Sequence, residues 1–344
     1  MPLNKTIAKV TAGESLSAQE AEAAFDEVMR GAASPVQIAA LLAGLRAKGH
    51  SAQEVAGGVR ALRRAMIPVE HGTTDRLVDT CGTGGGAITT FNISTAAALV
   101  AASAGAKVAK HGNRSFTSRS GSADVLEALG VPIDLDPDGM ARVLDRVGIV
   151  FMFAPLLHPA MRHVAPVRRE LGIPTIMNLL GPLTNPAGVR RQVVGVADPA
   201  LLPLVAGALR ELGHERALVV HGQPGLDEIS PLGDTLVAEL VEDELREYTI
   251  SPESLGLTRA PVEEISGGSP GENADRIRAV LLGDDRGGAR TVTLLNAAAA
   301  LYVAGVVPGL RAGVELAAEA IDSGAAHRTL ELLREHSRRE AEEA

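Results

Sequence analysis

Tryptophan is absent from this 344-residue sequence, cysteine occurs once, and aromatic residues make up only 2% of the chain. The single cysteine, Cys81, excludes an internal disulfide framework and any metal cage built from several cysteines. No apolar run is long enough to span a bilayer, and the first residues lack the apolar core of a signal peptide. These absences predict a cytoplasmic protein that does not bind membranes.

An excess of basic residues is also missing. The chain has 33 Lys and Arg against 42 Asp and Glu, which gives a net charge of −9. A nucleic-acid-binding protein usually has a basic surface, and one that binds single strands also has aromatic side chains on which bases stack. The composition therefore argues against a nucleic-acid partner. The length allows a large core that is divided between two domains.

Helix start signals dominate the first 70 residues. Ser17-Ala18-Gln19-Glu20 and Ser51-Ala52-Gln53-Glu54 are capping boxes, and Ser34-Pro35 places a cap before a proline at the first helical position. No strand pattern occurs before Arg76. We therefore predict a small helical domain over residues 1–70, joined by part of residues 158–190.

From Arg76 onward, short apolar runs alternate with helical patterns, which is typical of a largely parallel sheet covered by helices. We predict an α/β domain over residues 71–344 with a mainly parallel central sheet. The tail from Ser269 has helical patterns only, and its charged end, residues 331–344, is predicted to be a solvated or fraying helix. The predicted strands are Arg76–Cys81, Lys107–Lys110, Ile149–Ala154, Gln192–Ala197 and Ala217–Val220.

A glycine-rich loop, Gly82-Thr83-Gly84-Gly85-Gly86, follows the first predicted strand and precedes a helix that begins near Asn92. Glycines allow backbone N–H groups to approach a ligand closely, and a helix N-terminus favours an anion. By itself the run is also compatible with a flexible turn ahead of a capped helix. As a phosphate site, it lacks the Gly-Lys-Ser/Thr of a P-loop and the acid about 20 residues on that a dinucleotide fold needs.

The distribution of charge around this loop favours an anion site. Between Thr80 and Ala123 there is no Asp or Glu, whereas the same window contains four cations. Solvated surfaces usually mix both signs, so this segregation indicates that the window binds phosphate groups. The four cations are Lys107, Lys110, Arg114 and Arg119.

Two adjacent carboxylates, Asp227 and Glu228, follow a predicted strand and a turn. Taken alone, such a pair is more often a solvated turn. Beside a polyphosphate site, the better interpretation is a site for Mg²⁺, because carboxylate and phosphate oxygens are ligands that this ion prefers.

Two arginines, Arg168 and Arg169, follow Pro166, which could start a helix. Cations in a first helical turn oppose the helix dipole. This placement indicates that one of them faces an anionic partner such as a substrate carboxylate, although a solvated pair is an alternative.

Six motifs occur in the order Gly82-Thr83-Gly84-Gly85, Phe91-Asn92-Ile93-Ser94-Thr95, Lys110-His111-Gly112-Asn113-Arg114, Ser120-Gly121-Ser122-Ala123-Asp124, Asn178-Leu179-Leu180-Gly181-Pro182-Leu183-Thr184-Asn185-Pro186 and Asp227-Glu228. Together they resemble the anthranilate phosphoribosyltransferases, and the resemblance spans nearly the whole chain. It implies a homodimer with its active site between a helical and an α/β domain. It also implies transfer of phosphoribose from phosphoribosyl diphosphate to anthranilate in tryptophan biosynthesis, with Mg²⁺ as cofactor.

The resemblance also implies roles for individual residues. Mg²⁺ would be bound by Ser94, Asp227 and Glu228, and no acid/base catalyst is assigned. Anthranilate would contact Gly82, His111, Asn113, His158, Arg168 and Pro182. Phosphoribosyl diphosphate would be bound by Gly82, Gly85, Gly86, Thr90, Asn92, Ile93, Ser94, Thr95, Lys110, His111, Gly112, Asn113, Arg114 and Ser122.

The sequence departs from the family pattern at three positions. Gly86 replaces the usual aspartate of the glycine loop, Pro174 replaces an arginine, and Met177 replaces a phenylalanine. Two alternative functions are a pyrimidine nucleoside phosphorylase-like activity, which would need no metal, and a non-catalytic relative that binds nucleic acid. The paired carboxylates argue against the first, and the acidic composition argues against the second.

Overall fold

A computed structural model describes residues 2–73, 75–115 and 119–343. The α-helices within these ranges are α1 (Leu3–Thr11), α2 (Ala18–Met29), α3 (Pro35–Lys48), α4 (Ala52–Ala65), α5 (Ile93–Ser103), α6 (Ser122–Ala128), α7 (Pro137–Val147), α8 (Ala154–Leu157), α9 (Ala165–Leu171), α10 (Met177–Leu180), α11 (Leu201–Glu211), α12 (Pro270–Leu282), α13 (Gly288–Ala304), α14 (Leu310–Asp322) and α15 (Ala325–Glu343). The strands are β1 (Leu77–Gly82), β2 (Lys107–Gly112), β3 (Ile149–Phe153), β4 (Arg191–Gly195), β5 (Arg216–Gly222), β6 (Thr235–Val241) and β7 (Glu244–Ile250). Across the described ranges, we find no helix that combines the length and the apolar character needed to cross a membrane.

The three predicted helix starts are confirmed. Ser17, Ser34 and Ser51 each accept a hydrogen bond from the backbone N–H three residues on, and the side chain at that position accepts one from the cap. The buried faces of these helices form one core together with apolar side chains of α9 and α10, among them Val167 and Leu180. This packing supports our proposal that part of residues 158–190 joins the helical domain of residues 1–70.

A seven-stranded sheet forms the centre of the rest of the chain, in the order β3-β2-β1-β4-β5-β6-β7. The first five strands are parallel, which confirms the predicted α/β fold with a mainly parallel sheet. The antiparallel hairpin of β6 and β7 is absent from the sequence prediction, because β7 is charged and largely exposed. The two strands are joined by a tight hairpin turn at Glu242 and Asp243, whose φ angles are positive, at 49° and 74°.

Four C-terminal helices follow, as the helical pattern of the tail predicts, and α13 packs against β1, β4 and β5. Helix α13 is buried on almost every side, and its Asn296 side chain bonds both the N–H and the C=O of Ile229, at 2.9 and 3.0 Å. The predicted helix at the end of the tail is confirmed and much of its surface is solvated, whereas no fraying is seen in the described residues. Helix α15 continues to Glu343, and its buried Glu340 accepts hydrogen bonds from two arginines of α7.

Candidate active site

The site lies where the strand order reverses. Strands β2 and β3 lie on one side of β1, whereas β4 and β5 lie on the other, and all five point the same way. In sheets of this kind, ligands bind outside the carboxyl ends of the strands at the point of reversal. The glycine loop leaves β1 at this point, so the topology places it where a ligand is expected.

The segment that carries Asp227 and Glu228 crosses the ends of three strands. Gly82, Gly195 and Gly222 are the last residues of β1, β4 and β5. A methyl group at the first two would overlap atoms of Asp227, and one at Gly222 would overlap the carbonyl of Glu228. Glycine at each strand end therefore allows the carboxylate pair to lie directly against the sheet edge.

Asp227 also fixes the glycine loop. Its Oδ2 accepts a hydrogen bond from the N–H of Gly84 at 2.9 Å, and a Cβ added at Gly86 would lie 3.2 Å from its Oδ1. Gly84 and Gly85 have φ angles of 70° and 82°, a backbone conformation that other residues rarely adopt. These contacts favour a shaped cradle over the alternative of a flexible turn.

A buried lysine lies beneath the cradle. Lys110 of β2 is 3% exposed, and its Nζ donates to the carbonyl of Thr80 at 2.7 Å and to Ser94 Oγ at 3.1 Å. Burial lowers the pKa of Lys110, while the nearby carboxylates Asp79 and Glu228 oppose that shift. A cation at this position can neutralise phosphate oxygens above the first turn of α5.

The two adjacent carboxylates repel each other in a poorly solvated place. Burial, and then the charge of Asp227, raises the pKa of Glu228 to about 8, although Lys110 and a hydrogen bond from the Ser94 N–H oppose the shift. Burial also raises the pKa of Asp227. A divalent cation would relieve this repulsion. No cluster of three or more His, Cys, Asp or Glu suited to a metal occurs in the described part of the chain, so further ligands must come from Ser94, water or substrate.

The first backbone N–H groups of α5 are bonded within the protein: that of Ile93 donates to the carbonyl of Phe91, that of Ser94 to Glu228 and that of Thr95 to the carbonyl of Asn92. Asn92 precedes this helix, but its side chain makes no capping bond. It bonds Ser120, at 3.0 and 3.1 Å, and accepts from Asn273 of α12 at 3.0 Å. Ile93 is packed into the core and Thr95 is buried, with no partner for its hydroxyl among the described residues, so the contacts of both with phosphoribosyl diphosphate stay predictions.

Two further predicted contacts lie in the surrounding loops. Thr90 forms an isolated bridge with Ser266, which connects the glycine loop to the segment before α12. Gly112 ends β2, where a methyl group would overlap Ser122 Oγ, and that hydroxyl donates to the carbonyl of Asn113 at 3.3 Å. The close packing holds the start of α6 against the end of β2.

Arg114 is placed differently from the other predicted phosphate ligands. Its guanidinium donates to Asp124 at 2.8 Å and to both carboxylate oxygens of Glu127 at 2.6 and 2.8 Å. The acid-free window of the sequence ends directly before Asp124. The acids of α6 that follow it pair with Arg114, one of the four cations of the window. In this conformation Arg114 is paired with acids rather than open to an anion.

Two histidines and a proline are assembled on the other side of the cleft. Nε2 of His111 lies 3.1 Å from Nε2 of His158, and the ring centroids are 5.0 Å apart. Burial lowers the pKa of His111 to about 3 and that of His158 to about 4. Both rings are therefore neutral at pH 7, and one donates to the other. Pro182 lies two residues before Thr184, whose backbone forms a hydrogen bond with His158.

The sequence argument for Arg168 is wrong in one respect. Helix α9 has only seven residues, so Arg168 and Arg169 lie in its last turn, where cations suit the helix dipole. The structure still favours an anion at Arg168. Its side chain is partly buried without an acidic partner in the described ranges, and burial lowers its pKa. Arg169 is exposed, as expected for the alternative of a solvated residue.

Because both histidine pKa values are depressed, we expect neither ring to titrate between pH 5.5 and 8. In the unfolded chain the same rings bind protons near pH 6.5, so these two residues lower the free energy of unfolding as the pH falls below about 6.5. Ring ¹⁵N shifts, assigned with His111→Gln and His158→Gln, test this in the folded and urea-unfolded protein. A folded-state midpoint near 6.5 for both rings would contradict it.

Several site residues have no clear signal in the sequence. Gly195 and Gly222 end apolar runs, and the pattern of an apolar strand closed by glycine is their only indication. Asp79 and Asn185 lie behind the histidines, 106 positions apart in the chain, and Asn273 reaches the site from α12.

Comparison with known proteins agrees with this geometry. Residues 4–66 match the helical bundle domain of a glycosyl transferase family, and residues 74–327 match its α/β domain. The chain is 53% identical over 337 residues to anthranilate phosphoribosyltransferase of Rubrobacter xylanophilus, covering 98% of both chains. The structure superposes on the enzyme of that name from Thermus thermophilus with a TM-score of 0.92 at 45% identity, covering 97% of this chain and 99% of that one. The yeast enzyme in complex with PRPP and Mg gives a TM-score of 0.88 at 28% identity, covering 97% of both chains.

Proposed function

This chain belongs to the anthranilate phosphoribosyltransferase family, and we propose that the cleft at the carboxyl ends of β1, β2, β4 and β5 is its active site. It transfers phosphoribose from 5-phosphoribosyl 1-diphosphate to anthranilate, giving N-(5-phosphoribosyl)anthranilate and diphosphate in tryptophan biosynthesis. The observation that carries the site proposal is the convergence of the glycine loop, buried Lys110 and the carboxylate pair on one sheet edge.

The diphosphate and ribose bind, in this proposal, between the glycine loop and the first turn of α5. Backbone N–H groups and Lys110 offset the negative charge, and Gly112 at the end of β2 and Ser122 at the start of α6 add further contacts. The complete set is Gly82, Gly85, Gly86, Thr90, Asn92, Ile93, Ser94, Thr95, Lys110, His111, Gly112, Asn113 and Ser122, with Arg114 joining only if it leaves Asp124 and Glu127.

The residues present fit Mg²⁺. Asp227 and Glu228 supply two adjacent, half-buried carboxylates, which are hard oxygen ligands, and Ser94 adds a hydroxyl. Mg²⁺ bound there with the substrate would neutralise the diphosphate and make it a better leaving group. The carboxylate of Asp227 also holds the glycine loop through the Gly84 N–H, and that of Glu228 accepts from the Ser94 N–H at the start of α5.

Anthranilate is proposed to bind on the opposite wall, against the neutral pair His111 and His158. Arg168 would take its carboxylate, while Gly82, Asn113 and Pro182 line the approach to the ribose. The amine then attacks C1 as the C1–O bond breaks and positive charge develops on the ribose ring. The residues contribute mainly by holding both substrates in line and by stabilising charge, so no acid/base catalyst is assigned.

We expect Arg168→Ala to raise the KM for anthranilate roughly 10- to 100-fold, because a charge-assisted hydrogen bond contributes about 1.5–3 kcal/mol. The KM for phosphoribosyl diphosphate should stay within about twofold. The matched control is the exposed neighbour Arg169→Ala, which removes the same charge from the same helix. Equal effects of the two variants on the KM for anthranilate would contradict the assignment.

A direct assay tests the site and the metal together. Purified protein is mixed with phosphoribosyl diphosphate, Mg²⁺ and anthranilate, and the loss of anthranilate fluorescence is followed with and without EDTA. We expect turnover that needs Mg²⁺. Metal-independent phosphorolysis of a pyrimidine nucleoside, without any phosphoribosyl transfer, would overturn the proposal.

The assembly and location are also proposals. We infer a homodimer, supported by family membership and by apolar side chains left exposed on the helical part, such as Val36 and Ile173. The single free cysteine is consistent with the reducing cytoplasm. Sedimentation analysis of the purified protein tests the dimer.

A further inference from the structure

One buried carboxylate has no part in the site proposed above. Asp79 lies in the middle of β1 and is fully buried. Its Oδ1 accepts a hydrogen bond from the N–H of His111 at 3.3 Å, and its Oδ2 accepts from Nδ2 of Asn185 at 2.8 Å. A carboxylate is costly to bury, so its position between two donors needs a reason.

Asn185 links Asp79 to the side of the cleft that is proposed to bind anthranilate. It is 1% exposed, and its Nδ2 also donates to the carbonyl of Ala109 at 2.8 Å. Its Oδ1 accepts from the N–H of Ala187 at 2.9 Å. Asp79 and Asn185 together therefore join β1 and β2 to the segment of residues 181–187.

The segment of residues 181–187 contributes to the proposed anthranilate site in two ways. Pro182 belongs to it, and the backbone of Thr184 bonds His158, which in turn contacts His111. These contacts form a ring. Asp79 bonds the backbone of His111, Asn185 bonds Asp79 and belongs to the segment whose Thr184 bonds His158, and His158 contacts His111. A shift of this pair would change how the two histidines face the cleft.

We propose that Asp79 and Asn185 are positioning residues for the acceptor substrate, which set the placement of His111, His158 and Pro182 against the ribose. The inference rests on the proposed assignment of those three residues to anthranilate. The glycine loop is held by Asp227 rather than by this pair, and His111 is only one of many residues proposed for phosphoribosyl diphosphate, so the affinity for that substrate should change much less than the affinity for anthranilate.

The chemistry of the two partners explains why residue 79 is an acid. The groups that bond its carboxylate, the His111 N–H, the Asn185 Nδ2 and the backbone N–H of Thr80, are all donors. Asparagine at this position has one acceptor oxygen, so in either orientation its NH₂ would face another donor. Burial raises the pKa of Asp79 to about 6, and the charge of Lys110 and the three hydrogen-bond donors oppose that shift.

The test is the Asp79→Asn variant. We expect kcat/KM for anthranilate to fall about 10- to 100-fold, as for a small misplacement of a reacting group, while the Kd for phosphoribosyl diphosphate with Mg²⁺, measured calorimetrically, stays within about twofold. The ring ¹⁵N signals of His111 and His158 should shift.

Two controls separate positioning from general stability. Glu340→Gln removes the charge of another buried carboxylate, the one that bonds two arginines where α15 packs against α7. It should lower the Tm without changing either KM. If Asp79→Asn does not fold, Asn185→Ser keeps the bond from Asp79 to His111 and should give the same selective loss. A lower Tm with unchanged kinetics, or equal weakening of both substrates, would overturn the proposal. Absence of anthranilate turnover in the unchanged protein would instead refute the proposed site.

Discussion

We expect the double variant Asp227→Ala, Glu228→Ala to lose on the order of 10²- to 10³-fold in kcat, the range observed when a group that stabilises transition-state charge is removed. The remaining activity should no longer respond to Mg²⁺. Both effects follow from the placement of the two acids at the ends of β1, β4 and β5, facing the glycine loop. A magnesium titration of phosphoribosyl transfer measures both.

Two companion variants make this result specific. Glu342→Ala with Glu343→Ala removes the same two charges from exposed positions of α15 and should leave the titration unchanged. Asp227→Asn keeps an oxygen that can accept from the Gly84 N–H, so it separates holding the loop from binding the ion. If the double alanine variant kept its magnesium response, the carboxylate pair would not be the metal site.

The second large effect is expected for Gly195→Ala. A methyl group at the end of β4 would overlap the backbone of Asp227, and backbone atoms cannot move aside as a flexible side chain can. The segment must therefore lift from the sheet edge and take both carboxylates with it. We expect kcat/KM to fall on the order of 10²-fold, and the Mg²⁺ concentration for half-maximal rate to rise.

Gly271→Ala is the control for this substitution. Gly271 lies in α12 with no atom near the position that its Cβ would take, so the added methyl group should leave the kinetics unchanged. A Gly195→Ala protein whose kcat/KM and magnesium requirement stay within about threefold of the original would show that the segment can shift without consequence.

The sequence predicted the features whose signals are local. A capping box is complete within four residues, which is why the starts of α2, α3 and α4 were predicted correctly. The parallel strands are apolar runs buried on both faces, and such runs stand out from their polar surroundings. The charge segregation around the glycine loop likewise needs no knowledge of the fold.

Features that depend on tertiary contacts were not predictable from the same patterns. His111 and His158 meet although 47 residues separate them, and Asp79 meets Asn185 across 106. The helical position of Arg168 was misjudged because the length of α9 is set by Gly172, whose φ of 62° ends the helix after seven residues. The β6–β7 hairpin was missed because its outer strand is exposed and therefore carries polar residues.

The bond between Asn296 and Ile229 has a consequence for how the enzyme is made. All residues proposed to bind substrates or metal precede position 229, yet the backbone next to the carboxylate pair is fastened to α13, in the last sixth of the chain. During synthesis the strands and the glycine loop leave the ribosome first, and the carboxylate segment lacks its attachment to α13 until that helix has emerged and docked. A polypeptide that stops before residue 288 would thus contain every ligand and still be inactive.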